Sequence, residues 1–151
     1  MKTVFIAGPY AGLTHQHTEE NVRRVTELAA FAVRQGLAPI VPHLHGMAGI
    51  YGVSTDDGTS GEARIRALEC SVAIVRAVAR ADGLLWVLLT DDGLCTGGVA
   101  EEVRAWPPSA HGPVAGTWAD WCRQAGVVYF DEPGDVDIVG PRMRRPMGGP
   151  L

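Results

Sequence analysis

The sequence predicts an α/β protein: one domain, a three-layer α/β/α sandwich around a mainly parallel, flavodoxin- or Rossmann-like sheet of four to five strands. Three observations predict it. Short β-prone apolar runs alternate with longer stretches of helical periodicity. The strand candidates are apolar on both faces, as in a parallel sheet covered by helices on each side. The chain has 151 residues and no internal repeat, the size of a single domain able to bury a core.

The elements follow in order. Thr3 to Ala7 is a β-prone run stopped by Gly8-Pro9 and reads as a strand buried on both faces. After a loop through His17, Thr18 is the expected N-cap of the first helix, with Glu19 and Glu20 in the first turn. Val22, Val25, Leu28, Ala29, Ala32 and Val33 supply its apolar face, and Gly36 suits its C-cap. Leu37 to Val41 is a second strand, ended by Pro42. Residues 43–60, rich in Gly, Ser, Thr and Asp, read as a long loop of the kind often tied to function. Glu62 to Ala79 is a second helix, with Ile65, Leu68, Val72, Val75 and Val78 on its apolar face. Gly83 to Leu89 is the third strand and Asp91-Asp92-Gly93 a turn. Gly97 to Trp106 is a short helix ended by Pro107-Pro108. A Pro/Gly/Ser segment leads to a helix over about 117–125, and Val127 to Phe130 is a fourth strand. The domain is expected over 1–131, with 132–151 a partly ordered extension.

Composition narrows the function. The formal net charge is −4, which leaves no basic footprint for a nucleic-acid duplex or an anionic membrane. No apolar run approaches the ~20 residues of a spanning helix. The 3 cysteines, Cys70, Cys95 and Cys122, form no disulfide framework; they fit a reducing, cytoplasmic setting and read as small buried hydrophobes. His15-x-His17 and His43-x-His45 each place two imidazoles together, but no third ligand is spaced for a metal, and neither metal nor cofactor is expected. Arg23 and Arg24 read as a solvated helix face, and Trp106, Trp118 and Trp121 as core or interface packing.

In parallel α/β sheets ligands bind beyond the carboxyl ends of the strands. Three segments converge there: Gly8 to Gly12, Pro42 to His45, and Thr90 to Gly98. The strongest local signal is Thr96-Gly97-Gly98-Val99-Ala100-Glu101-Glu102, which follows a buried strand and opens a helix. Free N–H groups at a helix start favour an anion, and glycine lets a ligand approach the backbone. Glu102 lies one to two turns further in, facing a sugar held by the turn.

FIAGPY near the N-terminus, NVRRV on the first helix, APIVPHLH at the second strand, ARADGLLWVLL at the third and Thr-x-Gly-Val-x-x-Glu after it together resemble the nucleoside 2-deoxyribosyltransferase superfamily. The likeness is to its small phage and bacterial branch and its nucleotide N-glycosidase relatives, and it spans about 3–102. The resemblance implies an enzyme that cleaves the N-glycosidic bond of a (deoxy)nucleoside or its 5′-monophosphate, releasing the base or transferring the sugar. It implies Glu102 as nucleophile, with Glu101 a rival one residue short in spacing, and Thr96 beside Gly97 and Gly98 at the sugar 5′ end. Gly8, Pro9 and Tyr10 line the pocket by the same resemblance, as does His43; from the residues themselves, Tyr10 can orient Glu102 by a hydrogen bond, and Asp91 and Asp92, directly after the third strand, are read as base-recognition residues of the substrate site. The resemblance also implies a homodimer or larger homo-oligomer. The family's Asp on the helix before the third strand has no match in Glu69-Cys70-Ser71-Val72-Ala73; Glu69, Ser71, Asp91 and Asp92 are the candidates for its place. The alternatives are an N-glycosidase of NAD or AMP type and a non-catalytic nucleotide-binding or sensor module.

Overall fold

A computed structural model describes residues 1–10, 12, 14–42, 61–95 and 97–125. These form β1 (Lys2–Ala7), α1 (His15–Arg34), β2 (Leu37–Ile40), α2 (Gly61–Arg80), β3 (Leu84–Leu88), α3 (Gly97–Ala105), β4 (Val114–Gly116) and α4 (Trp118–Ala125). The four strands make one sheet in the order β2-β1-β3-β4, and every pairing is parallel: Val4 opposite Pro39, Ile6 opposite Trp86, Val87 opposite Ala115. The expected α/β fold with a parallel sheet is the fold observed.

The chain steps one way from β1 to β2, then crosses back over β1 to β3. With right-handed crossovers, that reversal puts α1 on one face and α2 and α3 on the other. Alternation along the strands divides the core accordingly. Val4, Ile6, Trp86 and Leu88 pack with α1 and α4, whereas Phe5, Ala7, Leu85 and Val87 pack with α2 and α3. The switch point falls between β1 and β3, the usual place for a ligand crevice in such sheets. Pro39 lacks a ladder N–H and is tolerated because β2 is an edge strand.

Several local expectations are corrected. The N-cap of α1 is Thr14, whose hydroxyl accepts from His17 N at 3.1 Å, so the helix starts earlier and its first turn contains no acidic residue. Thr18 is buried inside the helix instead. Val33 and Ile65 are each 59% exposed: both keep the helical period, but each lies at the margin of a stripe wider than the sheet contact. The buried line of α2 is Ala67, Ser71, Val75 and Val78, displaced from the one read off its large apolar residues. Cys70 and Cys95 are exposed and only Cys122 is buried. Within the Pro/Gly/Ser segment the chain forms β4, which extends the sheet beside β3. Thr117 then caps α4 in a reciprocal pair: Thr117 N donates to Asp120 Oδ2 at 3.1 Å and Asp120 N to Thr117 Oγ1 at 3.2 Å. The long loop over 43–60, the strand expected at 127–130 and the extension lie outside the described residues. Among the described residues no helix is long and apolar enough to cross a membrane.

Candidate functional site

Glycine brings the turn after β1 close to the core. A Cβ on Gly8 would meet Val25 Cγ1 at 2.7 Å and Leu88 Cβ at 3.4 Å, so only glycine lets this turn lie against α1 and β3. Two side chains of α1 then hold it. Asn21 Nδ2 donates to the Tyr10 carbonyl at 3.1 Å, and Gly12 N donates to Thr18 Oγ1 at 3.1 Å. Thr18, Asn21 and Val25 lie at helical spacing on one face, so a single stripe of α1 shapes the turn. Thr18 was expected only as a cap; its buried hydroxyl is the sign that it serves the turn. Tyr10 is 8% exposed and packs against Val22, Ala63 and Ala67. Burial pushes its phenol above the usual value. Pro9 is half-buried beside it.

The turn after β3 is closed by its own backbone. Thr90 N donates to Leu94 O at 3.0 Å, Gly93 N to Thr90 O at 2.8 Å, and Leu94 N to Thr90 Oγ1 at 3.0 Å. Asp91 and Asp92 are exposed on it. Asp91 Oδ1 accepts from Arg24 Nη1 at 2.8 Å, while Arg24 Nε donates to Glu20 at 3.0 Å. The Arg24 guanidinium sits 5.8 Å from the ring centre of Trp118, and its side chain is only 13% exposed. The solvated face expected for Arg24 is therefore a strut between α1, the β3 turn and α4. Arg23 is tied along the helix to Glu20 and Glu27, which holds the Glu20 carboxyl below its usual value.

The Gly-rich turn opens α3 as expected. Gly97 has φ +57°, a conformation side chains rarely adopt. A Cβ on Gly98 would make ordinary contact with Leu68 Cδ1 at 3.6 Å, so packing does not require glycine there. One turn deeper, Glu102 is buried at 7% exposure, whereas its rival Glu101 is exposed and paired with Arg104. The Ser71 hydroxyl, also buried, donates to Glu102 Oε1. Burial raises the Glu102 carboxyl to about 7, against the lowering effect of the Ser71 hydrogen bond. A group titrating there changes protonation near neutrality, as acid–base and nucleophilic carboxyls in active sites do.

Of the candidates for the missing helix Asp, Ser71 meets Glu102, Glu69 is exposed, Asp91 is tied to Arg24, and Asp92 is exposed on the turn. Ala67, which packs against Tyr10, lies one turn before Ser71 on α2, while Val22 of α1 packs against Tyr10 from the other face; Tyr10 thus sits between the two layers, and the buried line of α2 runs from it to Ser71 and Glu102. Thr96 and His43 lie outside the described residues.

Fold and site together define an α/β protein with a carboxyl buried between α2 and α3, on the helix that opens at the strand ends. Residues 2–105, from β1 through α3, match the family model described as Domain of unknown function (DUF7768), and the chain belongs to that family. No curated protein and no solved structure matches it.

Proposed function

We propose that the protein is an N-glycosidase acting on a nucleoside 5′-monophosphate or nucleoside, with transfer of the sugar to a second base as the close variant. One observation carries the reading: Glu102 is a buried carboxyl on the helix opened by Gly97-Gly98, hydrogen-bonded by Ser71 on the α2 line that also meets Tyr10 through Ala67. The chemistry suits a carboxylate. Departure of the base with the C–N electron pair leaves an oxocarbenium-like sugar, which a carboxylate oxygen stabilises or captures as a glycosyl ester. Water or another base then takes the sugar, and the leaving base gains a proton. The Gly97 turn offers backbone N–H groups to a 5′-phosphate, as Gly8, Pro9 and Tyr10 offer a wall for sugar and base. A cytoplasmic homodimer fits the same reading.

The test is incubation with a panel of ribo- and deoxyribonucleoside monophosphates, AMP and NAD included, and chromatography for free base. Release by the wild-type protein and its loss in Glu102→Gln are expected. Equal release by a folded Glu102→Gln protein refutes the reading. Because the nucleophile is the ionised form, kcat is expected to rise as pH passes about 7.

A second reading, a nucleotide-binding module without turnover, is favoured by one observation. Among the described residues no second buried carboxyl accompanies Glu102 on its face of the sheet, since Asp120 caps α4. Thermal stabilisation by a nucleotide without release of base would favour this reading over the first.

A further inference from the structure

We infer that Ser71 is the positioning residue of Glu102: its hydroxyl holds Oε1 of the carboxylate and leaves Oε2 to face the anomeric carbon. The inference rests on the glycosidase reading for its catalytic part, but the hold on the carboxylate stands on geometry alone. Ser71 interrupts the buried line Ala67, Val75, Val78 of α2. A hydroxyl in that position is unfavourable unless it is hydrogen-bonded, and Glu102 Oε1 is its acceptor. On α3, Gly98 and Glu102 are four residues apart and face α2 together. Gly98 faces Leu68, and Glu102 faces Ser71 one turn further along. Both helices therefore descend side by side from the crevice. Among the described residues Ser71 is the sole hydrogen-bond donor to Glu102. One oxygen is thus fixed and, among the described residues, none donates to the second, an arrangement that sets the carboxylate's rotation while keeping a lone pair for a reacting atom.

Among the described residues the groups around the carboxylate are few. Burial raises the thiol of Cys95, in the turn ahead of α3; Arg104 opposes that rise and the Glu102 charge adds to it. Glu101 and Arg104 of α3 and Glu69 of α2 are exposed, and β1 presents Phe5 and Ala7 to this layer. Tyr10 lies against the first turns of α2. A Cys95→Ser background removes the thiol from the titration.

The experiment labels glutamate side-chain carboxyls with carbon-13 and follows them by NMR against pH in the ligand-free protein. The Glu102 signal is assigned by its loss in Glu102→Gln. Ser71→Ala and the near-isosteric, weakly donating Ser71→Cys are compared with wild type. Removing a hydrogen bond to the charged form is expected to move the Glu102 midpoint upward by about one pH unit in both variants. Alanine suits a helix interior, and the cysteine variant keeps the volume should alanine perturb folding. With a nucleoside monophosphate that the wild type cleaves, kcat is expected to fall about tenfold with KM within about twofold, and the kcat–pH profile to shift upward with the midpoint. An unchanged midpoint in both variants, or a shifted midpoint with wild-type kcat, overturns the inference while the glycosidase reading survives. Absence of base release by the wild type refutes that reading and the catalytic part of the inference, while a shifted midpoint still supports the hold of Ser71 on the carboxylate.

Discussion

The two faces of the sheet are buried by different chemistry. On the α1/α4 face Trp86 stacks on Phe31 at 5.6 Å and meets Trp121 at 5.0 Å, and Trp118 completes an aromatic block. Two of the polar residues buried in this part of the molecule serve chain ends: Thr18 holds the β1 turn and Asp120 caps α4, while Gln124 of α4 is buried with its Nε2 unpartnered among the described residues. On the α2/α3 face the core is mostly aliphatic, and the buried polar pair Ser71–Glu102 joins the middles of two helices. No cap or turn needs a hydroxyl and a carboxyl there, and burying an acid carries a cost in stability. One face is arranged for cohesion; the other gives up cohesion to keep an acid near neutrality.

Breaking the cohesive face has the largest expected effect. Trp86→Ala empties the centre of the aromatic block and is expected to destabilise by about 3–5 kcal/mol, read as a lower urea midpoint. Trp86→Phe is expected to lose much less, because the Trp86 Nε1 is buried without a hydrogen-bond partner.

On the other face the sign reverses. Glu102 titrates at about 7 when folded, above the 4.5 usual for a glutamate. The folded state therefore holds an extra proton between pH 4.5 and about 7, and stability falls as pH rises through that window. Glu102→Gln removes the dependence and is expected to be more stable than wild type above pH 7, by up to about 3 kcal/mol. Urea titrations at pH 4, 6 and 8 check it, and a gap that does not widen with pH contradicts it.

Gly8→Ala sharpens the comparison where the faces meet at the crevice. The added methyl at 2.7 Å from Val25 Cγ1 is expected to destabilise by about 1–3 kcal/mol, with partial recovery in a Gly8→Ala, Val25→Ala double variant. The smallest effect is expected at the strut. Asp91 is 65% exposed, so Asp91→Ala is expected to lower stability by only about 0.2–1 kcal/mol, and less at high salt.

The strands and helices that pack on the centre of the sheet were legible because their own residues carry the pattern: β1 and β3 are apolar on both faces, and α1 keeps Val25, Leu28, Ala29 and Ala32 in period. β4 was not legible. Three residues between Gly112-Pro113 and Thr117 have no pattern of their own, and pairing with β3 makes them a strand. The cap of α1 was misplaced by four residues: Thr14 takes it, and Thr18, the residue expected there, spends its hydroxyl on Gly12 of the β1 turn, a contact that local spacing does not reveal. In the site, the Gly-rich turn pointed to Glu102, but neither Ser71 as its partner nor the Arg24–Asp91 link, 67 residues apart, is written in local spacing. Such contacts exist only once the sheet order has brought distant segments together.

That sheet order also shapes how the chain reaches its native state. Val4 of β1 pairs with Leu84 of β3, eighty residues onward, and the intervening β2 covers only one edge. During synthesis a strand apolar on both sides must wait for its second neighbour through two helices. Parallel sheets with such distant pairings fold slowly and expose sticky edges meanwhile. Interrupted translation before β3 is therefore expected to leave an aggregation-prone fragment, and the family-matched segment, which reaches past β3 to the end of α3, contains the strand that relieves it.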